Sequence, residues 1–156
     1  MPSDVARRPT ADDELFIERT FRAPVALVFA MWSQREHMIE WYGPRGSRCV
    51  DVQLDFRVGG EWSATVHMPA DGDRTMGGRY LEVEPGRRIV KTFQWRNGEP
   101  EPVTVVTMTF EDLGDGRTRQ TFHQTPFTDI ALRDSHIGGW SSVFESAEAY
   151  LKEQTR

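Results

Sequence analysis

Residues 137–151 read IGGWSSVFESAEAYL. Ile137, Trp140, Phe144, Ala147 and Leu151 recur at intervals of three and four, with Val143 and Tyr150 beside them. Glu145, Glu148, Lys152 and Glu153 take the other side. The helical period places such a set on one buried face. Thr128 or Asp129 can cap the free N–H groups at the start. The sequence therefore predicts a C-terminal helix ending near Glu153, about 37 Å long at ~1.5 Å per residue.

Upstream of this helix the period is two. In Glu61–Met68, Trp62, Ala64, Val66 and Met68 fall on one face, and Glu61, Ser63, Thr65 and His67 on the other. That split is the mark of a β-strand. Similar stretches predict strands at 14–21, 47–54, 75–83, 88–95, 103–110 and 117–124. Val58-Gly59-Gly60, Asp71-Gly72-Asp73, Glu84-Pro85-Gly86, Asn97-Gly98 and Gly114-Asp115-Gly116 separate them as turns. Connections this short imply an antiparallel meander. Between the first two strands, Ala23-Pro24 opens a helix carrying Val25, Val28, Phe29 and Trp32 on one face. A second short helix over 34–41 stops at Gly43-Pro44.

The predicted fold is α+β: a curved antiparallel seven-stranded sheet wrapped around a long C-terminal helix, with two short helices after the first strand. Residues 1–13, with Pro2 and Pro9 and no periodicity, read as a flexible lead, and 14–153 as one domain. The chain has 156 residues, a net charge of −5 and 38% hydrophobic residues, which argues against wholesale disorder. The acidic balance argues against electrostatic nucleic-acid binding. No apolar run is long enough for membrane insertion. The lone Cys49 cannot form an internal disulfide, so a cytoplasmic setting is expected. Arginine supplies 17 of the 19 basic residues, a hint of a GC-rich bacterial genome.

A twisted sheet does not lie flush on a rod. A wedge between them must be filled by large side chains or left as a cavity. Trp62, Met68, Phe93, Trp95, Met108, Phe122, Trp140 and Phe144 have phases that face this wedge, and Val66 lies among them. Aromatic and Met side chains suit flat or flexible apolar guests. Tyr80 and Gln120 are candidate polar groups on the lining. Lys91 shares a face with Ile89, Phe93 and Trp95 and is expected to sit near an open end or to snorkel, because a buried unpaired ammonium is costly.

The segments FRVGGEW (56–62), GRYLEVEPGRRIVKTF (78–93) and the Gly139-Trp140 start of a helix closing in Ala149-Tyr150-Leu151 resemble the START-like (SRPBCC, Bet v 1-like) superfamily. Within it they resemble homologues of the activator of heat shock protein 90 ATPase, from about Leu15 to Leu151. The resemblance implies a helix-grip fold with a hydrophobic cavity. Members bind lipids, sterols, polyketides or hormones, and a few are aromatase/cyclases. The eukaryotic namesake stimulates a chaperone ATPase and has an additional N-terminal domain, where this chain has only its short lead.

Metal and catalytic motifs are sparse. His37, His67, His123 and His136 show no ligand spacing, and no G-x-S-x-G elbow is present. No metal, cofactor or catalytic set is assigned. Cys49 beside Arg48 is either activated or a small buried residue. His136, one turn before Trp140, either faces the cavity as an acid, a base or a ligand hydrogen-bond donor, or is a helix-face histidine hydrogen-bonded to a loop. The expected function is binding of a small hydrophobic or amphipathic molecule between sheet and helix. The alternatives are a polyketide cyclase/aromatase-like enzyme in the same cavity and a chaperone-ATPase-activating interaction module.

Overall fold

A computed structural model describes residues 11–97 and 101–155. The first ten residues of the expected lead lie outside it, as does Gly98 of the Asn97-Gly98 turn. The element order is β1 (Leu15–Phe21), α1 (Val25–Ser33), α2 (Arg35–Trp41), β2 (Arg48–Leu54), β3 (Glu61–Met68), β4 (Gly72–Glu84), β5 (Arg88–Trp95), β6 (Thr104–Gly114), β7 (Arg117–Thr125) and α3 (Ile130–Gln154). All seven strands form one antiparallel sheet in the order β1-β7-β6-β5-β4-β3-β2. The predicted helix-grip architecture is the observed one. No described helix is long and apolar enough to cross a membrane.

β1 and β2 are the two edges of the sheet, so α1 and α2 must carry the chain from one edge to the other. Register shifts at Cys49/Asp51, Tyr80/Glu82 and Asp112/Gly114 interrupt the ladders. Bulges of this kind bend strands and sharpen twist. In β4, beside the shift, Tyr80 is buried and Leu81 is exposed. Gly78 permits a close crossing, since a Cβ there would lie 2.0 Å from the Thr92 carbonyl oxygen.

Two strands run further than their apolar pattern. β4 begins at Gly72, which pairs with Met68 and has φ +78°, a left-handed conformation that glycine adopts readily. β6 continues past Phe110 through Glu111 and Asp112, which pair with Arg119 and Thr118. Alternation reports burial, whereas these ladder ends are held by backbone hydrogen bonds and by exposed polar pairs such as Arg119–Glu111 and His67–Asp73.

α3 buries Trp140, Val143, Phe144, Ala147 and Leu151, the expected face. Each large side chain of this kind contributes about 1.5–3 kcal/mol when fully buried. Asp129 caps the helix, its side chain accepting from the Leu132 N–H at 2.7 Å. Arg19 of β1 donates to Glu148 at 2.8 Å. Ala11–Asp13 are held as well: Asp13 O accepts from Phe127 N at 2.9 Å.

The centre of the wedge is filled by Trp32 of α1. Its ring lies 4.9 Å from Trp41, 6.0 Å from Phe144 and 6.5 Å from Phe122. Lys91 is also interior, 1% exposed, rather than at an open end. Its Nζ sits 3.9 Å from the Trp62 ring centroid and 5.3 Å from that of Trp32. Two indole faces favour the ammonium, while burial disfavours it and lowers the pKa to about 7.

Candidate functional site

Where Trp32 stops, the wedge opens. Between the first half of α3 and the adjoining ends of β4 and β5 lies a cleft of about 250 Å³. Phe93 and Trp95 of β5 and Trp140 of α3 supply its aromatic surface. Tyr42, Gly43 and Pro44, after α2, close one side. Arg74, Glu101, Ser135 and His136 supply the polar groups.

The aromatic part is built edge to face. Phe93 lies 5.7 Å from both Trp95 and Trp140, and 6.0 Å from the His136 ring. Trp140 is fixed by a buried relay. Its indole N–H donates to Gln124 Oε1 at 2.8 Å, Gln124 Nε2 donates to Thr104 Oγ1 at 2.8 Å, and that hydroxyl donates to the Phe93 carbonyl at 3.3 Å. Two walls of the cleft are therefore coupled through buried polar groups.

His136 Nε2 faces Glu101 Oε1 at 3.4 Å. Opposite a carboxylate this ring nitrogen is the donor. Burial lowers the imidazole pKa, and Glu101 opposes that shift. A neutral imidazole beside a carboxylate inside a half-apolar cleft is an arrangement able to take or deliver a proton. Arg74 is half-buried, with its guanidinium carbon 4.8 Å from the Trp95 ring centroid. Gly139 lines the cleft on α3, and a Cβ built there meets nothing within 4 Å.

Of the residues singled out from the sequence, Phe93, Trp95, His136 and Trp140 come together in the cleft. Trp62, Val66, Tyr80, Met108, Phe122 and Phe144 sit in the packed core. Met68 is partly buried at the end of β3, outside the cleft lining. Trp62 donates its indole N–H to the Thr92 carbonyl at 2.9 Å. Gln120 is buried, its amide donating to Met108 Sδ at 3.4 Å. Tyr80 packs 5.0 Å from the Phe56 ring, and its buried hydroxyl has no partner among the described residues. Desolvation raises its pKa, with Asp55 adding to the effect.

Arg74, Gly139 and Glu101 escape the sequence reading. A search for bulky apolar side chains cannot find a glycine that leaves room. Arg74 falls between the turn at 71–73 and the strand expected from 75, although it shares a strand face with Met76, which is buried. Glu101 lies in a connection without periodicity.

The remaining titratable candidates are accounted for locally. His37 pairs with Tyr150 Oη at 2.7 Å, His67 with Asp73 at 2.7 Å and His123 with Glu14 at 3.0 Å. Burial pushes the Cys49 thiol up to about 11, with the Asp51 charge adding to it, so the thiol is protonated at neutral pH. Among the described residues no three His, Cys, Asp or Glu side chains converge as a metal site.

A sheet curled around a C-terminal helix, with the opening at one end of the grip, defines the SRPBCC/Bet v 1-like class of fold. Residues 22–152 match the family described as activator of Hsp90 ATPase homolog 1-like protein, and the chain belongs to that family. A crystal structure of a Chromobacterium violaceum protein is similar at 26% identity, covering 90% of this chain and 98% of that one, with a TM-score of 0.80. The AHSA1 protein of Silicibacter pomeroyi is similar at 23% identity, with coverage of 90% and 99% and a TM-score of 0.80. A Nitrosomonas europaea protein follows at 24% identity, 94% and 99% coverage and a TM-score of 0.78. No curated protein matches this chain.

Proposed function

We propose that this protein binds a small apolar or amphipathic molecule in the cleft between α3 and the ends of β4 and β5, as a cytoplasmic binding protein. The observation that carries the reading is the contrast within one interface. Trp32 and its neighbours fill the middle of the grip, while Phe93, Trp95 and Trp140 present an aromatic surface to about 250 Å³ of open space. A buried cavity of ~150 Å³ is enough to take benzene, so the size here suits a molecule of one or two rings. Native mass spectrometry of protein purified from its own cells tests the reading. A retained small molecule that is absent from Gly139→Leu supports it. No retained mass, together with unchanged tryptophan fluorescence across a panel of aromatic and lipid compounds, overturns it.

The His136–Glu101 pair favours a second reading, an enzyme of the cyclase kind that moves a proton on a guest in the same cleft. Under that reading His136→Gln abolishes turnover of a bound guest while leaving its affinity within about threefold. The family description also names activation of a chaperone ATPase. A protein-partner role is the alternative left standing if the cleft takes no guest.

A further inference from the structure

We infer that the guest is an acid: a one- or two-ring aromatic or comparably compact apolar molecule carrying a carboxylate, with Arg74 as its anchor. The inference rests on the binding reading above and adds the chemical class. Besides the Tyr42 phenol, whose hydroxyl donates to Met76 Sδ, three charged or titratable side chains reach the cleft: Arg74, Glu101 and His136. Glu101 is turned to His136, Nε2 to Oε1 at 3.4 Å. Arg74 has no carboxylate partner among the described residues, although it lines an aromatic recess. Its phase on β4 is inward, shared with buried Met76, and its guanidinium lies over the Trp95 ring at 4.8 Å.

A guanidinium lying over an indole ring keeps its N–H edge available to an acceptor. Such an edge matches the two oxygens of a carboxylate. Next to that edge Phe93, Trp95 and Trp140 offer ring faces and edges to an apolar body. A neutral apolar guest would fill the recess and leave the guanidinium unused. A cationic guest would meet repulsion from Arg74.

Isothermal titration calorimetry with 2-naphthoate and its neutral near-isostere 2-naphthamide, at pH 7.5, separates charge recognition from shape. The wild-type protein is expected to bind naphthoate at least about tenfold tighter than naphthamide, the scale of a charge-assisted hydrogen bond. Arg74→Gln is expected to bring that ratio close to one while naphthamide affinity stays within about threefold. Arg74→Lys, which keeps the charge but loses the fork, is expected to fall between them. Equal binding of both probes by the wild type, or a preference that survives Arg74→Gln, overturns the acid assignment and leaves the cleft as a neutral binding site. Failure of both probes to bind the wild type overturns this inference and the binding reading together.

Discussion

Trp140 of α3 gives its indole N–H to Gln124 Oε1 of β7 at 2.8 Å, and both groups are buried. The bond fixes the helix to the sheet beside the cleft, and through Thr104 it reaches the backbone of Phe93. The ring that forms one cleft wall is thus oriented by polar contacts that water cannot replace. Gln124→Leu would leave the indole N–H and the Thr104 hydroxyl short of partners. An unsatisfied buried group costs about 1–3 kcal/mol. Urea unfolding of Gln124→Leu is expected to show a loss in that range, with the Trp140 fluorescence maximum shifted in the folded state.

Gly139 separates packing from vacancy. A Cβ at this position meets nothing within 4 Å, and glycine inside a helix is less favourable than alanine by about 0.5–1 kcal/mol. Gly139→Ala is therefore expected to raise stability by roughly that amount. Gly139→Leu is expected to fold and to fill the cleft. Chemical denaturation and ligand titration on the two variants check both statements.

Gly78 makes the opposite prediction. A Cβ there would lie 2.0 Å from the Thr92 carbonyl oxygen, a backbone atom that cannot give way without disturbing the β4–β5 pairing. Gly78→Ala is expected to cost about 3 kcal/mol or to prevent folding. Thermal unfolding followed by circular dichroism reads the result.

Lys91 gives the protein a pH signature. Its pKa is about 7 folded, through burial, against an ordinary lysine value of 10.5. Between these values the unfolded chain holds the proton that the folded chain has released. Stability from this group therefore rises with pH across the window and is lost as pH falls through about 7. The slope approaches ~1.4 kcal/mol per pH unit. The Cys49 thiol, raised to about 11 from 9.0, opposes the trend above pH 9, so pH 7–9 is the clean interval. Denaturation midpoints are expected to climb from pH 7 to 9 in the wild type and to stay level in Lys91→Met, which is also expected to be more stable at pH 7. A flat wild-type profile would mean that Lys91 stays charged in its indole sandwich.

The architecture was legible because each element carries its own period. The three-and-four spacing from Ile137 to Leu151 and the alternation in 61–68 each admit one structure, and the short turns leave little choice of topology. The site was legible only in part. Phe93, Trp95, His136 and Trp140 could be named because bulky or titratable residues on an inward phase are visible in the sequence. Trp62, Met108, Phe122 and Phe144 carry the same signal yet lie in the packed core, where Phe122 and Phe144 meet each other and Trp32. What decides between lining and filling is where α1 inserts, a long-range property that no local pattern encodes. Lys91 shows a related limit: two tryptophans from distant segments, Trp32 and Trp62, create its environment.

The central claim is that the open end of the grip, and not its filled middle, accepts a guest. A ¹⁵N heteronuclear NMR titration with 2-naphthoate tests it residue by residue. The account predicts saturable shifts at the Trp95 and Trp140 indole N–H signals and the Gly139 amide, with those of Trp32 and Trp62 nearly still. Shifts spread evenly over all the tryptophans, or none at Trp95, Trp140 and Gly139, would contradict it.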